Sequence, residues 1–298
     1  MNVAIVGNCQ VHGFGAALSG MCPGVSVEIH EIVQVTRTGT ASAVAAKLKT
    51  ADVVFTNAAE EMRSLVPLER LSGAGVRTIS FPAIEFTGFQ PDMARLIDSS
   101  AKPTAGPLCP CHSLIIAASY SLGFSPQRTA LLFNSYVYAS LGYFAEFGPA
   151  RRALLSKASS LGYDLSESFA QWLREGSFMH TINHPHIRVL GTLAAMAAQK
   201  AGFQADVALC ESPGDSLALS FCWPVYPELA ERLSVDGGLS FERNAFLARQ
   251  LNVSRRLSLE EFITQSFAAY AVGGQDLVAL STRVAHTASV LRVICARS

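Results

Sequence analysis

Two short stretches of the chain carry residue types suited to covalent chemistry. Val6-Gly7-Asn8-Cys9-Gln10 sets a thiol in a polar turn directly after an apolar run, and Met179-His180-Thr181-Ile182-Asn183-His184-Pro185-His186 gathers three of the seven histidines within seven residues. A cysteine between a strand and a helix sits beside unpaired helix N–H groups, whose positive field favours thiolate over thiol. The same groups can hold a developing oxyanion. The competing reading, a small cysteine packed in a tight turn, has about equal weight on position alone. In the second stretch a metal site would need His180 and His184 on one helical face, which Pro185 opposes, so no metal is expected. His184 at a helix start is expected to stay neutral and to serve as general base, with His180 as the second choice. The plain alternative is a helix-entry loop whose histidines satisfy backbone groups. Asn57, at the end of a later strand, joins Asn8 and Gln10 as a polar group for the oxyanion.

These residues need a scaffold, and the first hundred positions supply one. Apolar runs at 3–6, 25–35, 52–57 and 77–81 read as strands, and 11–18, 41–48 and 60–71 read as helices. Alternation of this kind indicates a parallel sheet with crossover helices, in which ligands collect at the carboxyl ends of strands. Gly7, Gly13 and Gly15 miss the spacing of a dinucleotide fingerprint. From Pro103 to Ala145 only Arg128 is charged across 43 positions, which reads as buried helix. Helices are expected from His112 to Leu122, from Ser125-Pro126 towards Gly142, from Asp164 to Gly176 and from His184-Pro185 to Gly202. Another starts at Ser258, where Glu261 completes a capping box. The fold class is therefore α/β: an N-terminal parallel-sheet part at 1–102 carrying the Cys9 turn, then a mainly helical part at 103–298 carrying the histidine stretch.

Composition narrows the functional classes. Half of the 298 residues are apolar and 15% are charged, against about 25% in ordinary globular proteins, which argues against disorder. Twenty-three basic and 23 acidic residues cancel, so no global field recruits nucleic acid, and an anionic ligand needs a local site. Arg151-Arg152 and Arg255-Arg256 are the paired cations available for phosphates, although solvated helix faces usually explain such pairs. The first residues lack a signal peptide's pattern and no run reaches the ~18 apolar residues of a spanning helix, so a cytoplasmic protein with reduced thiols is expected. Peripheral contact with a membrane stays open.

Gly7-Asn8-Cys9-Gln10 and Thr181-Ile182-Asn183-His184-Pro185 resemble the WcbI-type polysaccharide-biosynthesis family. Gly88-Phe89-Gln90-Pro91-Asp92, His112-Ser113, Trp223-Pro224-Val225-Tyr226-Pro227 and the stretch from Leu257 to Ile263 extend the resemblance in order along most of the chain. The N-terminal part is also similar, more loosely, to flavodoxin-like and SGNH-type folds, with cysteine in place of the SGNH serine. That group's late Asp-x-x-His element is absent, since position 181 is threonine. The resemblance implies an acetyltransferase of capsule assembly that moves an acetyl group from acetyl-coenzyme A to a sugar hydroxyl. Cys9 would be the nucleophile, His184 or His180 the base, and Asn8, Gln10 and Asn57 the oxyanion site. Gly7, His112, Ser113, Arg151 and Arg152 would serve coenzyme A. Direct transfer without an acyl-cysteine, an SGNH-like esterase or deacetylase, and a non-enzymatic coenzyme A- or sugar-binding assembly protein are the alternatives.

Overall fold

The computed structural model describes the chain except residues 66–70, 72, 74, 99–101, 109, 210–213, 275 and 297–298. The N-terminal part is the expected parallel sheet. Strands β1 (Asn2–Gly7), β2 (Ser26–Glu31), β3 (Val53–Thr56) and β4 (Arg77–Ser80) are ordered β2-β1-β3-β4, all pairs parallel. Val3, Ala4, Ile5 and Val6 are all buried, as befits a central strand of a sheet covered on both faces. Helices α1 (Val11–Met21), α2 (Ile32–Thr38), α3 (Ala41–Leu48) and α4 (Ala59–Leu65) follow in the connections. Helix α2 is a departure from expectation, because the strand expected over 25–35 stops at Glu31 and the chain winds from Ile32 into a helix ending at left-handed Gly39. Part of the helix expected over 60–71 falls outside the described residues.

The chain forms two compact units that do not follow the division at residue 102. Unit 1 comprises 1–85, 153–178 and 183–218, and unit 2 comprises 86–152, 179–182 and 219–298. In unit 1, α1 packs closely against the helix Ile187–Ala201 because Gly13 has no side chain: a Cβ there would lie 2.6 Å from Leu190 Cδ1. Gly15 allows the same approach to the sheet, 2.6 Å from Ile29 Cδ1. These glycines thus serve packing. Phe14 stacks on Phe81 with ring centroids 3.9 Å apart, and Phe55 meets Phe14 at 5.7 Å.

Unit 2 is mainly helical. Its helices include Leu114–Ser121, Pro126–Ala130, Ser135–Ser140, Pro227–Leu233, Leu259–Gly273 and Thr282–Ala296. The helix expected from Ser125 to Gly142 is thus two short ones, the second started by Asn134, whose side chain accepts from Val137 N. Ser258 and Glu261 form the expected capping box. The centre is Asp92, fully buried, whose Oδ1 accepts from Tyr143 Oη at 2.7 Å and Ile115 N at 3.0 Å, and whose Oδ2 accepts from Tyr226 Oη at 2.6 Å. Burial pushes this carboxyl up, while hydrogen bonds from Ser113, Tyr226, Tyr143 and the Ile115 amide pull it back down.

Candidate functional site

The Cys9 turn lies where the strand order places it. Cys9 and Asn57 follow the ends of the adjacent parallel strands β1 and β3, at the sheet's carboxyl edge. The Cys9 thiol is partly exposed. The Asn8 N–H donates to Asn57 Oδ1 at 3.0 Å, and Asn57 Nδ2 returns a bond to Asn8 Oδ1 at 2.8 Å. Asn8 Oδ1 also accepts from the Gln10 N–H at 3.0 Å. The turn around the sulfur is therefore locked by reciprocal amide bonds. Gly7 permits this: a Cβ would stand 1.9 Å from Asn57 Oδ1. Its part is steric, letting the Asn57 side chain cross β1.

Gln10 departs from the oxyanion part expected of its side chain. The residue is fully buried, with Nε2 donating to Ile84 O at 2.8 Å and Asn183 O at 3.0 Å while Oε1 accepts from Ile84 N at 3.0 Å. Its amide is spent on backbone and is a brace. That brace connects the residue after Cys9 to the residue before His184. His184 itself is 6% exposed and begins the two-residue strand His184–Pro185. The helix follows at Ile187, two residues after Pro185, with His186 as its extended N-cap residue. Asp215, which the sequence reading did not single out, supports this entry: its Oδ2 accepts from Ile187 N at 2.9 Å and its Oδ1 from Ala218 N at 3.1 Å. A carboxylate at a helix N-terminus is stabilised by the helix dipole. Its position 28 residues on leaves no local pattern by which to find it.

Gly7, Asn8, Cys9, Gln10, Asn57 and His184 belong to unit 1, whereas His180, His112, Ser113, Arg151 and Arg152 belong to unit 2. His112 is 1% exposed and both ring nitrogens are committed, Nδ1 to Tyr270 Oη at 2.9 Å and Nε2 to Thr104 O at 3.1 Å. A carbonyl only accepts, so Nε2 carries the proton and Nδ1 accepts from the tyrosine. Burial pushes this imidazole down to about 4, so it is neutral at pH 7. Ser113 is buried, accepting from Ile116 N at 3.1 Å as a helix cap. Both residues, expected from the resemblance to serve coenzyme A, are buried with these side-chain groups engaged inside the protein. Arg151 and Arg152 are exposed on the helix Phe147–Ser160. Among the described residues no group of three or more His, Cys, Asp or Glu side chains is arranged to hold a metal, and no helix is long and apolar enough to cross a membrane.

Fold and turn together define an α/β protein with a cysteine-bearing turn at the carboxyl edge of a parallel sheet. The chain belongs to the WcbI family of polysaccharide biosynthesis enzymes: residues 2–206 match the family model described as polysaccharide biosynthesis enzyme WcbI. A solved WcbI structure superposes with a TM-score of 0.69 at 12% sequence identity, covering 98% of each chain. It is described as a novel polysaccharide biosynthesis enzyme, the native protein without a disulfide bond between coenzyme A and one of its cysteines. At that identity the likeness is one of fold. A search of curated proteins finds no match.

Proposed function

We propose that this member of the family is an O-acetyltransferase that moves an acetyl group from acetyl-coenzyme A to a hydroxyl of a sugar or glycan, with Cys9 as nucleophile and His184 as base. One observation carries the reading: a partly exposed thiol in a braced turn at the sheet edge, joined through Gln10 to the backbone beside a histidine. The description of the WcbI structure in terms of coenzyme A and a cysteine supports the donor, and we assign Cys9 the corresponding contact.

In this mechanism the Cys9 thiolate attacks the acetyl carbonyl, forming a new thioester as the bond to the coenzyme's sulfur breaks. The departing coenzyme A thiolate takes up a proton. Exchange between two thioesters is nearly isoenergetic, so the barrier is the tetrahedral oxyanion. The Cys9 N–H and the remaining amide hydrogens of Asn8 and Asn57 are assigned to that charge, each such donor being worth about 10²–10³ in rate. His184 then removes the proton of the acceptor hydroxyl, whose oxygen attacks the acetyl-cysteine and releases the thiolate. The net proton passes from sugar to coenzyme A.

Intact mass spectrometry after brief exposure to acetyl-coenzyme A tests the first step. An acetyl adduct is expected on the wild type, absent from Cys9→Ala and discharged by an acceptor glycan. His184→Ala should still load but discharge about 10²–10⁴-fold more slowly. Acetyl transfer undiminished in Cys9→Ala overturns the covalent route. Rapid turnover of a p-nitrophenyl ester with no acceptor would identify a hydrolase instead.

A further inference from the structure

The segment from Phe241 to Leu257 exposes a cluster of apolar side chains. Phe246, Leu247, Leu251 and Val253 are 72%, 44%, 57% and 44% exposed, all within eight residues. Single exposed apolar residues are ordinary, but four in so short a stretch mark an interaction surface. The segment is also held as a unit. Its neck is closed by an antiparallel pair, Phe241–Glu242 against Arg256–Leu257, and by the Arg243 N–H donating to Arg255 O at 2.9 Å. Between these strands runs the helix Ala245–Leu251, started by Asn244, whose Oδ1 accepts from Phe246 N at 2.9 Å and Leu247 N at 3.1 Å. From 244 to 254 only Ala248 is buried. The cap thus fixes the backbone that presents Phe246 and Leu247.

Charge identifies the occupant. Four arginines, 243, 249, 255 and 256, fall in this segment against one acid, Glu242, in a chain whose overall charge is zero. Glu242 is shared between Arg255 at 2.9 Å and Arg256 at 3.3 Å, so one carboxylate faces two guanidinium groups. Arg256 is 77% exposed in its side chain.

We propose that this excursion docks on the surface of an anionic phospholipid bilayer. Phe246, Leu247 and Leu251 enter the boundary between headgroups and acyl chains, while Arg249 and Arg256 meet lipid phosphates. Apolar insertion and basic attraction are the two signals whose combination gives stable yet reversible attachment. A protein partner fits less well. A stable interface needs about 800 Å² from each side, more than this seven-residue helix offers. A bilayer demands no matching shape.

Co-sedimentation of the full chain with vesicles tests the assignment. At low salt the wild type is expected to pellet with phosphatidylcholine–phosphatidylglycerol vesicles and far less with phosphatidylcholine alone. F246S/L251S should weaken partitioning by about tenfold or more, since two apolar side chains no longer leave water. Arg249→Gln and Arg256→Gln should each cost about fivefold and reduce the salt sensitivity. These side chains are exposed, so the variants should keep the wild-type melting temperature. Phe246→Trp provides a direct reading, its emission shifting to the blue on vesicle addition. No pelleting of the wild type with the anionic vesicles, or equal pelleting of F246S/L251S, overturns the proposal. So does a concentration-dependent oligomer of the wild type that F246S/L251S abolishes, which would assign the patch to a second copy of the chain.

Discussion

The side-chain amide of Gln10 donates to the carbonyl of Asn183 at 3.0 Å, tying the residue after Cys9 to the residue before His184 across 173 positions of sequence. The same side chain holds both polar groups of Ile84. Gln10→Ala would remove three hydrogen bonds, two of them fully buried, a loss of about 2–4 kcal/mol. Gln10→Glu should do at least as much harm, because a carboxylate cannot donate to either carbonyl. Urea denaturation measures the loss. Alkylation of Cys9 by iodoacetamide should survive in both variants, while acyl discharge, which needs His184 in register, should fall more than acyl loading.

Local chemistry made much of this fold readable. The buried run Val3 to Val6, the Ser258–Glu261 box and the stop at Gly202 are short-range patterns, and each appears where its residues indicate. Where a local pattern was carried too far, the structure departs from it: the alternation of Val25, Val27 and Ile29 suggested strand as far as Val35, yet Ile32 to Thr38 form α2. The Cys9 turn could be singled out because strand, Gly7 and helix are contiguous. The function of Gln10 could not, since its partners Ile84 and Asn183 lie 74 and 173 residues away. The burial of His112 and Ser113 could not be read either, since adjacency in sequence says nothing of burial.

Asn57 should be sensitive through Gly7. An alanine methyl at position 7 would lie 1.9 Å from Asn57 Oδ1 and 2.8 Å from Val11 Cγ1, so Asn57 must swing away. Both bonds between Asn8 and Asn57 would then break. Gly7→Ala is therefore expected to be the more damaging of two variants, with Asn57→Ala losing the same bonds without the collision. Both should lower acyl-cysteine formation by at least about tenfold, within the range for a lost oxyanion contact. Thiol alkylation as a function of pH would register the altered surroundings of Cys9 in both.

His112 links stability to acidity. Its folded value is about 4, below the ordinary 6.5, so the unfolded chain binds the proton more readily in between. Its contribution is complete above about pH 6.5 and is lost as the pH falls towards 4, amounting to about 3 kcal/mol. The midpoint of urea unfolding should therefore drop between pH 7 and pH 4.5. His112→Gln keeps a donor for Thr104 O and has nothing to protonate, so it should be less stable than wild type at pH 7 yet lose less on acidification. An equal acid loss in both proteins would assign the effect to other groups.

Coenzyme A should stabilise the folded chain in proportion to the logarithm of its excess, by about 2.7 kcal/mol at a hundredfold excess over its dissociation constant. For a protein of this length that is about 4 °C in melting temperature. The sulfur contact can be separated from the rest of the binding site. Under reducing conditions Cys9→Ala should keep most of the shift, because the substitution removes only the sulfur contact. Under mild oxidation the wild type should form an adduct with coenzyme A that mass spectrometry detects and dithiothreitol removes, whereas Cys9→Ala should form none at that position. An adduct that persists in Cys9→Ala moves the reactive thiol to another cysteine, and with it the nucleophile.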